Sequence, residues 1–249
     1  MLQTLVNEGN EHFWSFVEKW PEKNWILGPA LWELLGKKGI THEQAMSWGL
    51  GVLPIAWRGV VSPAMLSDRL LIPIHDAHGG LVSISGRGIT IDADPKFWHV
   101  PFEKRYVLWG LNRFWQEILS ADFAFLVESY FDVMALERCG HRAVAFMGSS
   151  LAIEQAALLA RYTTRVCYIP HAGWRERNDF SNVIEPLQTV GIKVFWTPAQ
   201  NADDFDEYYF QCGWHAAKYL ADWAQGATIN SQAPTEPTIL ERMRNAADY

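Results

Sequence analysis

From residue 123 onward, β-rich apolar runs alternate with helix-length segments, and this rhythm constrains the fold more than any other feature of the chain. The candidate strands are 124–127, 143–147, 165–169 and 193–197, and the candidate helices are 131–138, 152–161, 178–189 and 204–211. Strands separated by helices of this length pair in parallel and are covered by those helices, so an α/β unit is predicted. The first run, Ala124-Phe-Leu-Val127, is unbroken, as in a strand buried on both faces. It opens into Leu126-Val-Glu-Ser-Tyr-Phe-Asp132, which places Glu128 at the strand end and Asp132 in the following helix. A charge at the C-terminal end of a parallel strand lies where open α/β sheets place their sites.

The preceding segment reads differently. Residues 11–20 carry Phe13, Trp14, Phe16, Val17 and Trp20 at helical spacing, and Pro21 stops the helix. Residues 30–38 repeat the pattern up to Gly39, and Thr41 with Gln44 fits a capping box opening a third helix. Two β-rich runs, 69–74 and 81–85, are joined by the turn formers of 76–80 and predict a hairpin, with Pro73 at an edge or bulge. Residues 226–235 resemble a linker before a polar terminal helix. The expected organisation is a smaller α+β subdomain over 1–120, the α/β subdomain over 121–213, and C-terminal helices and tail over 214–249.

With a net charge of −7, no global basic field draws in nucleic acid, so such binding would need a local groove. The 13 tryptophans are expected to fill cores and seams, with base stacking as the alternative. Cys139, Cys167 and Cys212 form neither a disulfide framework nor a Cys-x-x-Cys zinc site. Together with the absence of a signal-peptide pattern or a membrane-length apolar run, they lead to the expectation of a cytoplasmic protein.

Longer stretches carry a family resemblance. Ala30-Leu-Trp-Glu-Leu-Leu-Gly-Lys-Lys-Gly-Ile40 runs on to Gly49-Leu-Gly-Val-Leu-Pro54. Asp68-Arg69-Leu-Leu-Ile-Pro-Ile-His-Asp76 follows, then Gly79-Gly80 and Ser85-Gly86-Arg87. Asp94-Pro-Lys96-Phe97, Leu108-Trp-Gly110-Leu111, the 126–132 heptapeptide, Met147-Gly-Ser-Ser-Leu151 with Glu154-Gln155, and Asp204-Phe-Asp206-Glu207-Tyr208 complete the series. In this order, over residues 28–213, they resemble the RNA polymerase catalytic core of bacterial DnaG-type primases, with its TOPRIM parallel sheet. Two primase parts, a zinc-binding domain and a full helicase-binding domain, have no counterpart in the chain. That compact form leads to the expectation of a phage or mobile-element protein.

The resemblance implies template-directed primer synthesis on single-stranded DNA from ribonucleotides, with Mg2+ or Mn2+ as cofactor. It assigns Glu128 to the strand-end position of a general base, and Asp132, Asp204 and Asp206 to metal ligation. Hard cations need such clustered carboxylates to neutralise a triphosphate. Arg69, Arg87 and Lys96 fall where primases place cations for template backbone and triphosphate, and Lys104 and Arg105 would extend the track. The turn at Gly86-Arg87-Gly88 suits close approach to phosphate. A replicative helicase or another replication protein is the expected partner.

One departure stands out. Where primases carry Asp-x-Asp, this chain reads Tyr168-Ile-Pro-His171-Ala-Gly173, so His171 and Gly173 replace the two aspartates. Glu176 and Asp179 lie close enough in sequence to substitute. Structural readings stand beside the functional ones. Glu128 also suits a solvated carboxylate, Asp132 a first-turn helix residue and Asp204 an N-cap, while His171 is expected to be a loop residue without metal. Two functions therefore remain open: an active primase core, or a catalytically weakened TOPRIM protein that binds single-stranded nucleic acid or a replication partner.

Overall fold

A computed structural model describes residues 3–4, 6–7, 28–52, 66, 69–90, 92–173, 178, 180–199 and 202–230. The predicted helix over 11–20, with Trp14 and Trp20, lies outside these residues, as do Glu176 and Asp179. Two compact units divide between Arg113 and Phe114. No described helix is long and apolar enough to cross a membrane.

In the first unit, helices α1 (Gly28–Lys37) and α2 (His42–Ser47) precede an antiparallel sheet in the order β1-β2-β3-β4. Gly39 takes a φ of 59°, the left-handed geometry that ends a helix, and Thr41 Oγ1 accepts the Gln44 N–H at 3.1 Å to start the next. Strands β1 (Gly51–Val52), β2 (Arg69–His75), β3 (Leu81–Gly88) and β4 (Phe97–His99) follow. The β2–β3 hairpin is present, and its register shifts between Ile74 and His75. Pro73 sits in β2 beyond the reach of the short β1, whose pairing stops at Leu71, so its missing N–H faces no partner strand. The Pro73 carbonyl accepts the indole N–H of the buried Trp109 at 2.8 Å.

Gly86-Arg87-Gly88 is not a turn but the paired end of β3. A Cβ at Gly86 would stand 2.8 Å from Arg69 Cδ and from Leu66 Cδ2, and one at Gly88 would run into the Ala93 Cβ. Gly88→Ala is therefore expected to destabilise this unit by about 1–3 kcal/mol, read by urea unfolding. An unchanged midpoint would mean that the Ala93 segment moves aside without cost.

The second unit takes in helix α3 (Leu111–Ala121) from Phe114 onward and meets the expectation of a parallel sheet flanked by helices. Strands β5 (Ala124–Val127), β6 (Ala143–Ala145), β7 (Arg165–Tyr168) and β8 (Lys193–Trp196) lie in the order β6-β5-β7-β8. The strand β5 has neighbours on both sides and all four residues buried, which is why its sequence is continuously apolar. Between the strands run α4 (Tyr130–Arg138), α5 (Ile153–Ala160), a π-turn at Phe180–Ile184 and α6 (Glu185–Thr189). A long helix α7 (Phe205–Asn230) packs on α4, β7 and β8. It extends far beyond the predicted 204–211 and takes in residues 226–230 of the expected linker, with a break at Gly213 (φ 80°) that explains the early predicted stop. Phe125, Phe146, Tyr168 and Phe205 are fully buried in this unit.

Candidate metal centre

The sheet order decides where the site lies. From β5 the chain goes to β6 on one side and then crosses to β7 on the other, so the C-terminal ends of β5 and β7 flank a topological switch point. Parallel pairing of Leu126 with Tyr168, and of the Ile169 N–H with the Leu126 carbonyl at 3.1 Å, brings the loops after both strands to one edge.

Each side chain is held by local structure. Glu128 follows β5 directly and is buried. Its Oε1 accepts the Tyr168 hydroxyl at 3.2 Å and the His171 backbone N–H at 3.2 Å. Ser129 has extended geometry and caps α4, accepting the Phe131 N–H at 3.1 Å, so it provides the tight strand exit. That cap places Asp132 in the first turn, with only 1% of its surface exposed. Asp132 Oδ1 accepts the Asp206 N–H at 3.0 Å, and Oδ2 lies 2.9 Å from His171 Nε2. Its carboxylate is thus fixed by tertiary contacts, beyond any interaction with the helix dipole. Asp204 precedes α7 and accepts the Glu207 N–H at 2.8 Å, yet it also presents an oxygen to the cluster.

Asp132, His171 and Asp204 each offer one donor atom, all within 4.8 Å of one another. Glu128 borders this set through His171, its Oε2 lying 3.8 Å from Nδ1. Asp206 is buried, and it enters the described network through its backbone N–H rather than as one of the three converging donors. His171 lies in the loop after β7, and both its ring and its backbone N–H hydrogen-bond the carboxylates. Gly173 is exposed with φ 74°, a backbone geometry that a carboxylate-bearing residue adopts only with strain.

The electrostatics follow from this packing. Burial by itself lowers the His171 imidazole, but the hydrogen bond and charge of Asp132, reinforced by Glu128 and Asp204, bring it up to about 9. Burial raises Asp132 in turn, while His171 pulls it down. These two tendencies oppose each other, and the ion pair is the state expected at neutral pH because three carboxylates surround one ring. His171 is thus raised in the folded chain above the ordinary imidazole value of about 6.5. Its stabilising contribution is complete below pH ~6.5 and is lost as pH rises through about 9. Urea unfolding is expected to show this decline, at most about 3 kcal/mol, flattened in His171→Gln. An equal slope in both proteins would refute it.

The cations of the first unit divide into two kinds. Arg69, one of the cations expected to contact nucleic acid, is held inside the unit. It is 7% exposed and donates to the Pro95 carbonyl at 2.7 Å and the Gly86 carbonyl at 3.3 Å, which ties the 94–96 segment to β3. Arg87 donates to the Gly88 carbonyl and lies 5.5 Å over the Phe97 ring, while Lys96 is exposed beside it. Lys104 is half-buried, and Arg105 is exposed and pairs with Glu103 at 3.2 Å.

Residues 125–209 match the Toprim-like family. A DNA primase of Synechococcus elongatus is 44% identical over 101 residues, covering 39% of this chain and 14% of that protein. A DNA primase of Aquifex aeolicus is 30% identical over 181 residues, covering 71% of this chain and 35% of that protein. The chain thus spans about a third or less of these two relatives. In fold it is similar to a DnaG catalytic core (TM-score 0.71, 22% identity, 90% of this chain and 80% of the other). It is also similar to the RNA polymerase domain of Mycobacterium tuberculosis primase in complex with double-stranded DNA (TM-score 0.72, 19% identity, 89% and 78%). A DnaG primase catalytic domain bound to single-stranded DNA shares the fold as well (TM-score 0.68, 23% identity, 89% and 78%).

Proposed function

Since this chain is a relative of the DnaG-type primases, with a Toprim-like domain inside a primase-core fold, we propose that it makes RNA primers on single-stranded DNA by metal-dependent nucleotidyl transfer. The observation that carries this reading is the convergence of Asp132, Asp204 and His171 at the switch point, with Glu128 at its border. Donors of this kind suit a divalent cation, which when bound would neutralise triphosphate charge and acidify the attacking hydroxyl. Asp132, Asp204 and His171 would hold it. The set fits an all-oxygen Mg2+ site less well, because one of its three donors is nitrogen.

The chain's own residues supply the rest. Glu128, which accepts hydrogen bonds from Tyr168 and the His171 N–H, would take the proton of a ribose hydroxyl. Arg87 and Lys96 supply positive charge for phosphate on a chain that is acidic overall. Primase structures described as bound to single-stranded and to double-stranded DNA support nucleic acid as the partner. Ribonucleotides as substrates and a replicative helicase as a further partner belong to the same proposal.

A second reading, a catalytically weakened protein that binds nucleic acid, is favoured by the His171–Asp132 contact at 2.9 Å and by the missing side chain at Gly173. Labelled ribonucleotides, single-stranded DNA and Mg2+ or Mn2+ distinguish the two. Primers made by the wild type and reduced about 100-fold or more in Glu128→Gln support synthesis. DNA binding without primers under either metal supports the second reading and overturns the first.

A further inference from the structure

We infer that the Asp132–His171–Asp204 cluster selects a divalent ion of the first transition series, Mn2+ in particular, over Mg2+, and that His171 is the residue that sets this choice. The inference rests on the reading of the cluster as a metal centre. Mg2+ is a hard ion that seeks oxygen and gives up its waters reluctantly, whereas imidazole nitrogen favours the later ions of the transition series. Mn2+ bridges the two preferences, because it accepts carboxylate and water as Mg2+ does and also tolerates nitrogen.

Three features of the site carry the argument. First, His171 Nε2 and Asp132 Oδ2 are 2.9 Å apart. A divalent ion that displaces the proton shared by this pair would find both donors within its reach, because they and an Asp204 oxygen lie within 4.8 Å of one another. Second, the ring is positioned from its backbone. The His171 N–H is fixed on Glu128 at 3.2 Å, and the Ala172 N–H is fixed on the Asp203 carbonyl at 2.6 Å, next to Asp204. An imidazole held at both ends of its loop segment acts as a preorganised ligand, and such support tunes affinity. Third, Gly173 provides no side-chain oxygen to replace the nitrogen.

The test uses the full chain and Mn2+ itself, whose unpaired electrons report a directly bound nitrogen. Wild type at saturating Mn2+ is expected to show nitrogen modulation in its electron spin echo. Mg2+ is expected to displace the Mn2+ only at least about tenfold less effectively. In His171→Asp the nitrogen modulation should vanish and the Mn2+ over Mg2+ preference should shrink several-fold, and His171→Gln should lose the modulation as well. Circular dichroism and the unfolding midpoint confirm that each variant is folded. Wild type without nitrogen modulation, or modulation and preference unchanged in His171→Asp, overturns the inference. Failure here is distinguishable from failure of the proposed function. Equal primer synthesis with Mg2+ and Mn2+, and no nitrogen signal, sinks the selectivity and leaves the primase reading intact. A nitrogen-ligated Mn2+ in a chain that makes no primers has the opposite meaning.

Discussion

Asp132→Asn is expected to lower the His171 imidazole from about 9 toward its ordinary value of about 6.5. The reason lies in the balance at this ring. Burial already pushes the imidazole down, and the largest opposing effects are the hydrogen bond and the charge of Asp132. An asparagine keeps the shape and the contact with the Asp206 N–H but removes the charge. Glu128 and Asp204 then remain as the opposing carboxylates, with Glu128 Oε2 3.8 Å from Nδ1. An NMR titration of the ring protons reads the change directly. A value that stays close to 9 would show that Glu128 and Asp204 alone hold the proton, and the site would then have a different centre of charge.

The largest loss of stability is expected from Trp109→Ala in the first unit, at about 3–5 kcal/mol. Trp109 is 1% exposed, stacks on Trp48 at 4.1 Å between ring centroids, and donates its indole N–H to the Pro73 carbonyl. Its removal opens a cavity and also strands a buried acceptor. Trp109→Phe separates the two effects, since it restores much of the volume but not the N–H, and should cost about 1–3 kcal/mol. Urea denaturation followed by circular dichroism measures both. A Trp109→Ala loss under ~1 kcal/mol would mean that neighbouring groups collapse into the space.

The elements legible in the sequence were those whose residues obey a single local rule. The strand β5 was readable because two parallel neighbours demand an unbroken apolar run, and α2 was readable because Thr41 and Gln44 form a local cap. Misreadings arose where tertiary structure overrules the local pattern. The predicted helix stopped at 211, yet α7 continues beyond the break at Gly213 because its later turns pack on the sheet. The glycines at 86 and 88 looked like a phosphate loop, but they are small because Arg69, Leu66 and Ala93 crowd them.

The same division holds at the site. Glu128 and Asp132 were visible because strand end and helix start are contiguous in sequence. His171 was visible only as the loss of an aspartate. Its contact with Asp132 spans 39 residues and depends on β7 pairing with β5, which a local reading does not provide. The inward hydrogen bonds of Arg69 were hidden for a related reason: a cation in a strand looks like a surface charge until the carbonyls of Gly86 and Pro95 close around it.

Under the proposed function, Asp132, Asp204 and His171 form one metal centre at the edge between β5 and β7. Crystals of the full chain grown with Mn2+, measured for anomalous scattering, test this most directly. The account predicts one strong peak within bonding distance of His171 and both carboxylates. An anomalous map with no peak there, or a peak bound by the carboxylates with His171 turned away, would contradict it.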